Sequence, residues 1–374
     1  MIVGVDIREW QPGKRTGIGR FLAEFLRAVS VANCGDRFFL IGDASCEVRV
    51  RADNLDVFRI AERSTLWWDQ VALPRALARA RVDVFYSPYI KVPLLASVPV
   101  VSTFHDLTFF QTGEYNRRLV DLVMNGSFWP FCWLVVRRAA AILTDSRSSA
   151  ADVQRFLRAD PAKVRVIPLA TSDSFRPDGD GRSDAEIWDG YGLSPGYVLY
   201  VGGYAPHKNV SRLVQAHAAL PGSLLERHPL VLAGVPPGKV FGRSPGQPAR
   251  AAALRSLGVV PDEHLPALYR GAALFAFPSL HEGFGLPVLE AMACGTPVLC
   301  STAPALRELT GDAAAHADPG DHRAWEAALL RLLEDPGQRK ALATRGLARA
   351  GQFSPERTAA GILEVLREVV GWRR

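Results

Sequence analysis

The sequence predicts an α/β protein of two domains, each built on a parallel β-sheet. Short runs rich in β-branched and aromatic residues alternate with stretches of helical periodicity, which is the pattern of parallel strand–helix units. The length of 374 residues exceeds what one ordinary core accommodates. A polar stretch rich in Pro, Gly and Asp lies near the middle of the chain and is typical of a linker.

The linker separates two alternating sets of strands and helices. We predict a first domain over residues 1–172, a linker over 173–196 and a second domain over 197–352, followed by a helical end. The predicted strands are Ile2–Ile7, Phe38–Gly42, Val84–Ser87, Val98–Phe104, Ala141–Thr144, Val164–Pro168, Tyr197–Val201, Leu230–Ala233, Leu274–Pro278 and Val298–Ser301. Ligands of open parallel sheets bind beyond the carboxyl ends of the strands, so we expect the site in a cleft between the domains.

The composition is that of an ordinary globular protein. Hydrophobic residues make up 48% and charged residues 22% of the chain, and the net charge of +6 is spread along the sequence without a basic run. This pattern argues against nucleic-acid binding and is compatible with phosphate-bearing ligands or an anionic membrane surface. The five cysteines contain no C-x-x-C pair, and neither a signal peptide nor a 20-residue apolar segment is recognised. We therefore expect a cytoplasmic protein with reduced thiols.

The most informative segment reads FPSLHEGFGLPVLEAMACG at residues 277–295. An apolar strand ends at Pro278 and a glycine-bearing loop follows. Pro287 suits the first position of a helix, because its missing N–H costs nothing there. Gly295 is placed to close that helix as a C-cap.

This segment also predicts an anion site. The backbone N–H groups of Phe284, Gly285 and Leu286 would point out from the helix N-terminus, where anions bind. Glu282 and Glu290 stand beside it, and carboxylates are expected there only if they bind hydroxyls of the same ligand. A sugar nucleotide offers both phosphates and hydroxyls. The alternative is that Glu290 only complements the helix dipole and Glu282 is a solvated loop charge.

The spacing Glu282-x7-Glu290 in this setting resembles the signature of family 4 glycosyltransferases. The resemblance covers most of the chain. The further matching segments are PDEHLPALY at 261–269, GDAA at 311–314, DP at 318–319, WW at 67–68, LPR at 73–75 and HD at 105–106. The branch most similar to this chain contains bacterial mannosyltransferases.

The resemblance implies a GT-B-like fold, in which two Rossmann-type parallel-sheet domains face each other across a cleft. The first domain is then the acceptor side and the second binds the nucleotide sugar. The last helix, about 353–374, is expected to return to the first domain.

His105 and Asp106 follow the predicted strand Val98–Phe104. From the residues alone, a strand-end histidine that packs locally and an aspartate that caps the next helix explain the pair. The resemblance instead places His105 against the donor sugar near the reaction centre, and leaves Asp106 structural.

Lys208 lies in VGGYAPHKN at 201–209, after the first strand of the second domain and at the start of a predicted helix. A cation there opposes the helix dipole, so an anionic partner is the natural explanation, with a solvated surface lysine as the alternative. The resemblance makes Lys208 the diphosphate-binding lysine.

The diphosphate site departs from the family at one position. Many relatives carry an arginine where this sequence has Gly203. Arg212, one helical turn beyond Lys208, or His207 would have to supply the missing charge.

Gly17 and Gly19 precede the first helix in TGIGR at 16–20. Two glycines allow a phosphate to approach the backbone, but they also serve any tight turn. The dinucleotide fingerprint is absent, because Leu22 stands where its third glycine belongs. The resemblance implies that this loop faces the diphosphate and the acceptor.

Two other features favour structural interpretations. Asp178-Gly179-Asp180 imitates a metal-binding D-x-D, but Arg182 stands where a third ligand would belong. The aromatic segment WPFCW at 129–133 is best explained by core packing, with contact to lipid headgroups as the second explanation.

Together with these residues, the resemblance implies a retaining hexosyltransferase. It would move a hexose, with mannose favoured, from a nucleotide diphosphate sugar to a hydroxyl of a saccharide or lipid-linked saccharide of a surface polysaccharide. GDP-mannose is the favoured donor, UDP- and dTDP-sugars remain open, and no metal or other cofactor is expected. The expected catalytic residues are Glu282, His105 and Lys208. The expected donor-binding residues are Glu290, Phe284, Gly285, Leu286, Gly17, Gly19 and Arg212.

Two alternatives remain. A non-catalytic sugar-nucleotide-binding subunit would tolerate the loss of Glu282, His105 or Lys208, and all three are present. An NAD-dependent oxidoreductase needs G-x-G-x-x-G after its first strand, and that pattern is absent. The expected partners are the donor and the acceptor, with no nucleic acid and with peripheral contact at the inner membrane face.

Overall fold

The computed structural model describes residues 1–10, 17–32, 35–46, 48, 50–61, 64–111, 119–179, 181–240 and 253–372. The chain divides into two compact units. One comprises Met1–Ala170 with Ser354–Arg374, and the other comprises Thr171–Phe353.

The first unit is built on a parallel sheet, which has seven strands in the described ranges. The strands are β1 Ile2–Asp6, β2 Arg37–Gly42, β3 Leu55–Arg59, β4 Val84–Ser87, β5 Val100–Phe104, β6 Ala141–Thr144 and β7 Val164–Val166. They lie in the order β3-β2-β1-β4-β5-β6-β7, and each neighbouring pair is parallel. Strands β4, β5 and β6 are buried along their whole length, which explains their continuous apolar runs.

The second unit repeats this plan with six strands in the part of the chain that is described. They are β8 Tyr197–Val201, β9 Leu230–Ala233, β10 Leu254–Gly258, β11 Ala272–Phe277, β12 Val298–Ser301 and β13 Ala315–Ala317. Their order is β10-β9-β8-β11-β12-β13, again all parallel. The strand order reverses between β1 and β4 in the first sheet and between β8 and β11 in the second. This is the Rossmann arrangement, and the crevice for a ligand opens at such a point.

Helices connect the strands in both units. In the first unit they are Gly17–Val31, Thr65–Trp67, Leu73–Arg79, Thr108–Gln111, Leu119–Arg138, Arg147–Leu157 and Pro355–Gly371, with a π-helical turn Trp68–Ala72 and a 3₁₀ turn Pro161–Lys163. In the second unit they are Gly181–Gly190, Val210–Ala218, Gly222–Arg227, Pro237–Val240, Leu265–Gly271, Leu286–Ala293, Pro304–Thr310, His322–Glu334 and Pro336–Ala350, with 3₁₀ turns Pro206–Lys208 and Asp262–His264.

The last helix, Pro355–Gly371, is part of the first unit. It packs against the helix Gly17–Val31. Arg367 Nη2 donates to Asp36 Oδ2 at 2.7 Å, and the hydroxyl of Thr358 donates to the carbonyl of Pro168 at 2.8 Å. Polar bonds as well as apolar packing therefore attach the end of the chain to the first sheet.

The predicted strands are all present, with ends that differ by no more than two residues. Three strands were missed, β3, β10 and β13. Each lies at the edge of its sheet, is partly exposed and mixes polar with apolar residues, so its pattern is weaker than that of the buried strands. The fourth edge strand, β7, was nevertheless predicted.

The aromatic segment at 129–133 lies within the helix Leu119–Arg138. Cys132 is buried in the core of the first unit, whereas Trp129 is 41% exposed and donates from Nε1 to the carbonyl of Phe156 at 3.2 Å. Core packing therefore explains only part of the segment. Over the described ranges, no helix combines the length and the apolar character that crossing a bilayer requires.

Candidate functional site

Two of the predicted catalytic residues, Lys208 and Glu282, meet where the strand order of the second sheet reverses. Lys208 lies in the connection after β8 and Glu282 in the connection after β11, and these two strands pair with each other. Lys208 Nζ lies 2.7 Å from Glu282 Oε1, and both side chains are mostly buried. The same ammonium lies 5.5 Å from the centre of the Phe277 ring, within range of a cation–π contact.

Backbone and amide hydrogen bonds hold the two loops of this ion pair together. Asn209 has a left-handed backbone with φ 54°, which asparagine tolerates better than most residues. Its side-chain amide donates to the carbonyl of Pro278 at 3.2 Å. The N–H of Leu280 donates to the carbonyl of His207 at 2.7 Å. The connection after β8 is therefore attached to the connection after β11.

The helix Leu286–Ala293 begins one residue before Pro287, the predicted first position. Its N-cap is Gly285, whose φ of 108° suits only glycine, and Pro287 stands in the first turn. Among the described residues, the N–H groups of Phe284, Gly285 and Leu286 form no hydrogen bond. Unsatisfied donors at a helix N-terminus suit an anion.

The end of this helix is as predicted. Gly295 has φ 74°. Its N–H donates to the carbonyl of Met292 at 3.0 Å, and the N–H of Thr296 donates to that of Ala291 at 2.9 Å. These two bonds form a Schellman motif, so the predicted glycine C-cap is confirmed.

Glu290 is the fifth residue of the helix and is only 2% exposed. A buried carboxylate requires hydrogen-bond donors, and the hydroxyl of Tyr269 donates to Glu290 Oε2 at 2.8 Å. The Tyr269 ring is itself held edge-on by Phe175 and Phe275, at centroid distances of 5.9 and 5.3 Å. Sequence reasoning missed this partner, although Tyr269 ends one of the segments that resemble the family.

His105 is placed in the first unit by the register of its sheet. It follows β5, and Asp145 follows β6. Phe104 pairs with Thr144, so the next residues along the two strands become neighbours. His105 Nδ1 lies 2.7 Å from Asp145 Oδ2, and His105 Nε2 lies 2.8 Å from the carbonyl of Pro88. Asp145 was missed, although its place directly after a predicted strand was the same signal that drew attention to His105.

The pKa values of both His105 and Asp145 are raised above their ordinary values. Burial lowers the pKa of His105, but Asp145, the Pro88 carbonyl and Asp106 together outweigh it, so the pKa lies above its ordinary value. Burial raises the pKa of Asp145 although His105 opposes the shift. Asp106 accepts a hydrogen bond from the N–H of Thr108 at 2.9 Å, which is the capping role predicted for it.

A second buried ionic cluster lies at the point of reversal in the first sheet. Arg8 Nη2 donates to Asp6 Oδ2 at 2.7 Å and to Asp69 Oδ1 at 2.6 Å. The hydroxyl of Tyr89 donates to the same Asp6 oxygen at 2.7 Å, and the Trp68 ring lies 3.7 Å from the Arg8 guanidinium. Sequence reasoning missed this cluster, which joins the ends of β1 and β4 to the helical segment that follows β3.

The remaining diphosphate candidates are placed as follows. Arg212 lies in the helix Val210–Ala218, and its Nε is buried with no hydrogen-bond partner in the described part of the chain. Gly203 is exposed, and a Cβ at that position would meet no atom within 4 Å. The structure thus leaves room for a larger side chain at this position.

The other predicted contacts are less informative. Gly17 and Gly19 form the first turn of the helix Gly17–Val31, and residues 11–16 before them lie outside the described ranges. The Phe284 side chain is buried against Phe353, with ring centroids 5.8 Å apart, so only its backbone can reach a ligand.

The four cysteines of the described ranges are free and buried. Burial raises the pKa of Cys46, Cys132, Cys294 and Cys300 to about 12, so these thiols are protonated at neutral pH. Asp180 of the D-x-D imitation lies outside the described ranges. Within those ranges no group of three or more His, Cys, Asp or Glu side chains is arranged to hold a metal ion.

Comparison with known proteins covers most of the chain. Residues 192–349 match the family model described as glycosyl transferases group 1, and residues 28–174 match that of glycosyltransferase family 4. The chain is 34% identical over 363 residues to the O-antigen chain mannosyltransferase B of Escherichia coli, across 91% of this chain and 93% of that protein.

Solved structures share the fold. Sucrose-phosphate synthase from Thermosynechococcus elongatus superposes with a TM-score of 0.77 at 21% identity, over 99% of each chain. The Anabaena protein HepE in complex with UDP and glucose gives 0.74 at 19% identity, over 98% of this chain and 99% of that one. These likenesses confirm the predicted GT-B-like class of two Rossmann-type parallel-sheet domains.

Proposed function

The chain belongs to glycosyltransferase family 4, and we propose that within this family it transfers mannose from a nucleotide diphosphate sugar to a saccharide or lipid-linked saccharide. The similarity to the O-antigen mannosyltransferase along 91% of the chain supports mannose as the sugar and a surface polysaccharide as the product. GDP-mannose is proposed as the donor on the family resemblance alone. We propose that the protein acts in the cytoplasm at the inner face of the membrane, where it would reach a lipid-linked acceptor.

One observation supports this assignment of the donor site. The Lys208–Glu282 ion pair joins the loop after β8 to the loop after β11, and the second loop leads into a helix whose first N–H groups form no hydrogen bond with the described residues. Lys208 carries three N–H donors, and Glu282 accepts one of them at 2.7 Å. The ammonium can therefore bind a diphosphate while it keeps Glu282 in place. Glu282, two residues before Phe284, is then positioned to bind hydroxyls of the donor sugar.

The transfer step places its largest charge change on the departing diphosphate. Lys208 and the N–H groups of Gly285 and Leu286 would stabilise that charge, and fixed donors of this kind are usually the largest contribution to catalysis. We propose retention of the anomeric configuration by a front-face reaction, in which the departing phosphate takes the acceptor proton. The role of His105, contact with the donor sugar, rests on the family resemblance.

The diphosphate site is proposed to need neither a metal nor another cofactor. Arg212 would supply the charge that Gly203 lacks. Its buried Nε, which has no hydrogen-bond partner among the described residues, supports a role beyond that of a solvated helix charge. Glu290 would bind the ribose. Gly17 and Gly19 remain candidate contacts of the diphosphate.

The test is a turnover assay with the full chain and a panel of GDP-, UDP- and dTDP-sugars, with and without EDTA. We expect GDP-mannose to be turned over, EDTA to have no effect, and NMR to show retention in the product. Lys208→Met should slow turnover by about 10²–10³, the scale of losing one oxyanion donor. Lys340→Met, at an exposed helix position, is the matched control.

Three outcomes contradict the proposal. Restoration by Mg²⁺ or Mn²⁺ of activity lost in EDTA refutes the metal-free site. Binding of the donor without turnover of any sugar favours the non-catalytic subunit. Equal rates in Lys208→Met and Lys340→Met remove Lys208 from the mechanism.

A further inference from the structure

The imidazole of His105 lies between two hydrogen-bond acceptors. The carbonyl of Pro88, 2.8 Å from Nε2, can only accept, so Nε2 must carry a hydrogen. The Asp145 carboxylate lies 2.7 Å from Nδ1 and also accepts when it is ionised. A neutral imidazole cannot donate from both nitrogens. The contact therefore holds one further proton between Nδ1 and Oδ2.

The surroundings of the pair keep this proton in a fixed geometry. Asp145 is 3% exposed and His105 is 16% exposed. The Phe21 ring meets the imidazole edge-on at 5.6 Å, and the hydroxyl of Ser149 donates to the backbone carbonyl of His105 at 3.2 Å. His105 is therefore held through both ring nitrogens, through the edge-on contact with Phe21 and through its backbone carbonyl.

We propose that Asp145 is a positioning residue for the donor-sugar step, which holds the His105 imidazole in one orientation and in its protonated form. The proposal rests on the proposed function, in which His105 contacts the donor sugar. A sugar nucleotide carries its negative charge on the diphosphate, and a protonated imidazole in contact with the donor favours the departure of that group. A neutral imidazole, with both nitrogens engaged by Pro88 and Asp145, would supply no such charge.

The groups that shift the pKa of His105 predict how the loss of the Asp145 charge changes that pKa. Burial lowers the pKa of His105, and Asp145 is the first of the groups that raise it, followed by the Pro88 carbonyl and then by Asp106. Asp145→Asn keeps the size of the side chain and removes its charge. Burial then dominates, and His105 should lose its proton at lower pH than in the parent chain.

The experiment uses the full chain labelled with ¹⁵N-histidine. The pH titration of the His105 ring signals, assigned by their loss in His105→Ala, is followed by NMR in the parent chain, Asp145→Asn and Asp106→Asn. We expect the His105 pKa to fall in Asp145→Asn and to stay near that of the parent in Asp106→Asn. The pH profile of kcat for donor turnover should lose its alkaline side at lower pH in Asp145→Asn.

At neutral pH we expect kcat of Asp145→Asn to fall by about tenfold or more, the scale seen when the partner that orients a metal-binding histidine is removed. Circular dichroism and thermal unfolding check that the variant is folded. An unchanged His105 pKa in a folded Asp145→Asn overturns the inference and leaves the proposed function intact. Full activity of His105→Ala overturns the proposed sugar contact, and the role of Asp145 with it.

Discussion

The ribose contact of Glu290 can be tested by Glu290→Gln. The amide oxygen of glutamine can still accept the 2.8 Å hydrogen bond from Tyr269, so the buried packing is retained and only the charge is lost. The proposed bond from a ribose hydroxyl to the carboxylate is charge-assisted, which corresponds to about 1.5–3 kcal/mol. The nucleoside diphosphate should therefore bind about 10- to 150-fold more weakly.

The measurement is titration calorimetry of the full chain with GDP, or with UDP if the parent chain prefers it. The 2′,3′-dideoxy analogue separates the ribose from the phosphates. The parent chain and Glu290→Gln should bind the analogue equally, because the hydroxyls that distinguish them are gone. Glu334→Gln makes the same charge change at an exposed helix end and should bind like the parent.

Two results would refute this reasoning. Unchanged affinity of Glu290→Gln for the ribonucleotide means that Glu290 does not bind the ligand. Equal weakening for the ribonucleotide and its dideoxy analogue means that Glu290 acts on the site without touching the ribose.

Three further predictions follow from the packing and charges. Tyr269→Phe should lower the free energy of unfolding in urea by about 1.5–3 kcal/mol, because a buried carboxylate loses a donor; a loss below about 0.5 kcal/mol would contradict this. Gly203→Arg should tighten nucleoside diphosphate binding by up to about fivefold in calorimetry without loss of stability, since its Cβ meets open space; destabilisation or weaker binding would count against it. Burial raises the pKa of Asp36. The N-terminal ammonium at 2.9 Å and Arg367 at 2.7 Å outweigh burial and lower this pKa below 3.8. Asp36→Asn should therefore cost about 1.5–3 kcal/mol in urea unfolding at pH 7, and the difference should shrink as pH falls below 3.8. A difference that is constant with pH would show that its ionisation is not involved.

Local features of the sequence determined most of the architecture. Buried central strands such as β8 and β11 are continuous apolar runs, and the helix Leu286–Ala293 is delimited by backbone requirements. Gly285 and Gly295 adopt conformations that only glycine accepts readily, and proline favours a first turn. These signals are carried by a few adjacent residues, so they can be recognised without knowledge of the fold. The edge strands β3 and β10 carry a weaker signal, because they are partly exposed and contain polar residues.

The contacts of the candidate sites were decided only by the tertiary structure. Lys208 and Glu282 are 74 residues apart, His105 and Asp145 are 40 apart, and Tyr269 and Glu290 are 21 apart. The individual residues Lys208, Glu282, Glu290 and His105 were predicted, but two of their partners were not. Which strand ends become neighbours depends on the order of strands in the sheet. Pairing of β8 with β11 and of β5 with β6 brings distant side chains within hydrogen-bond distance, and no short segment of sequence contains that information.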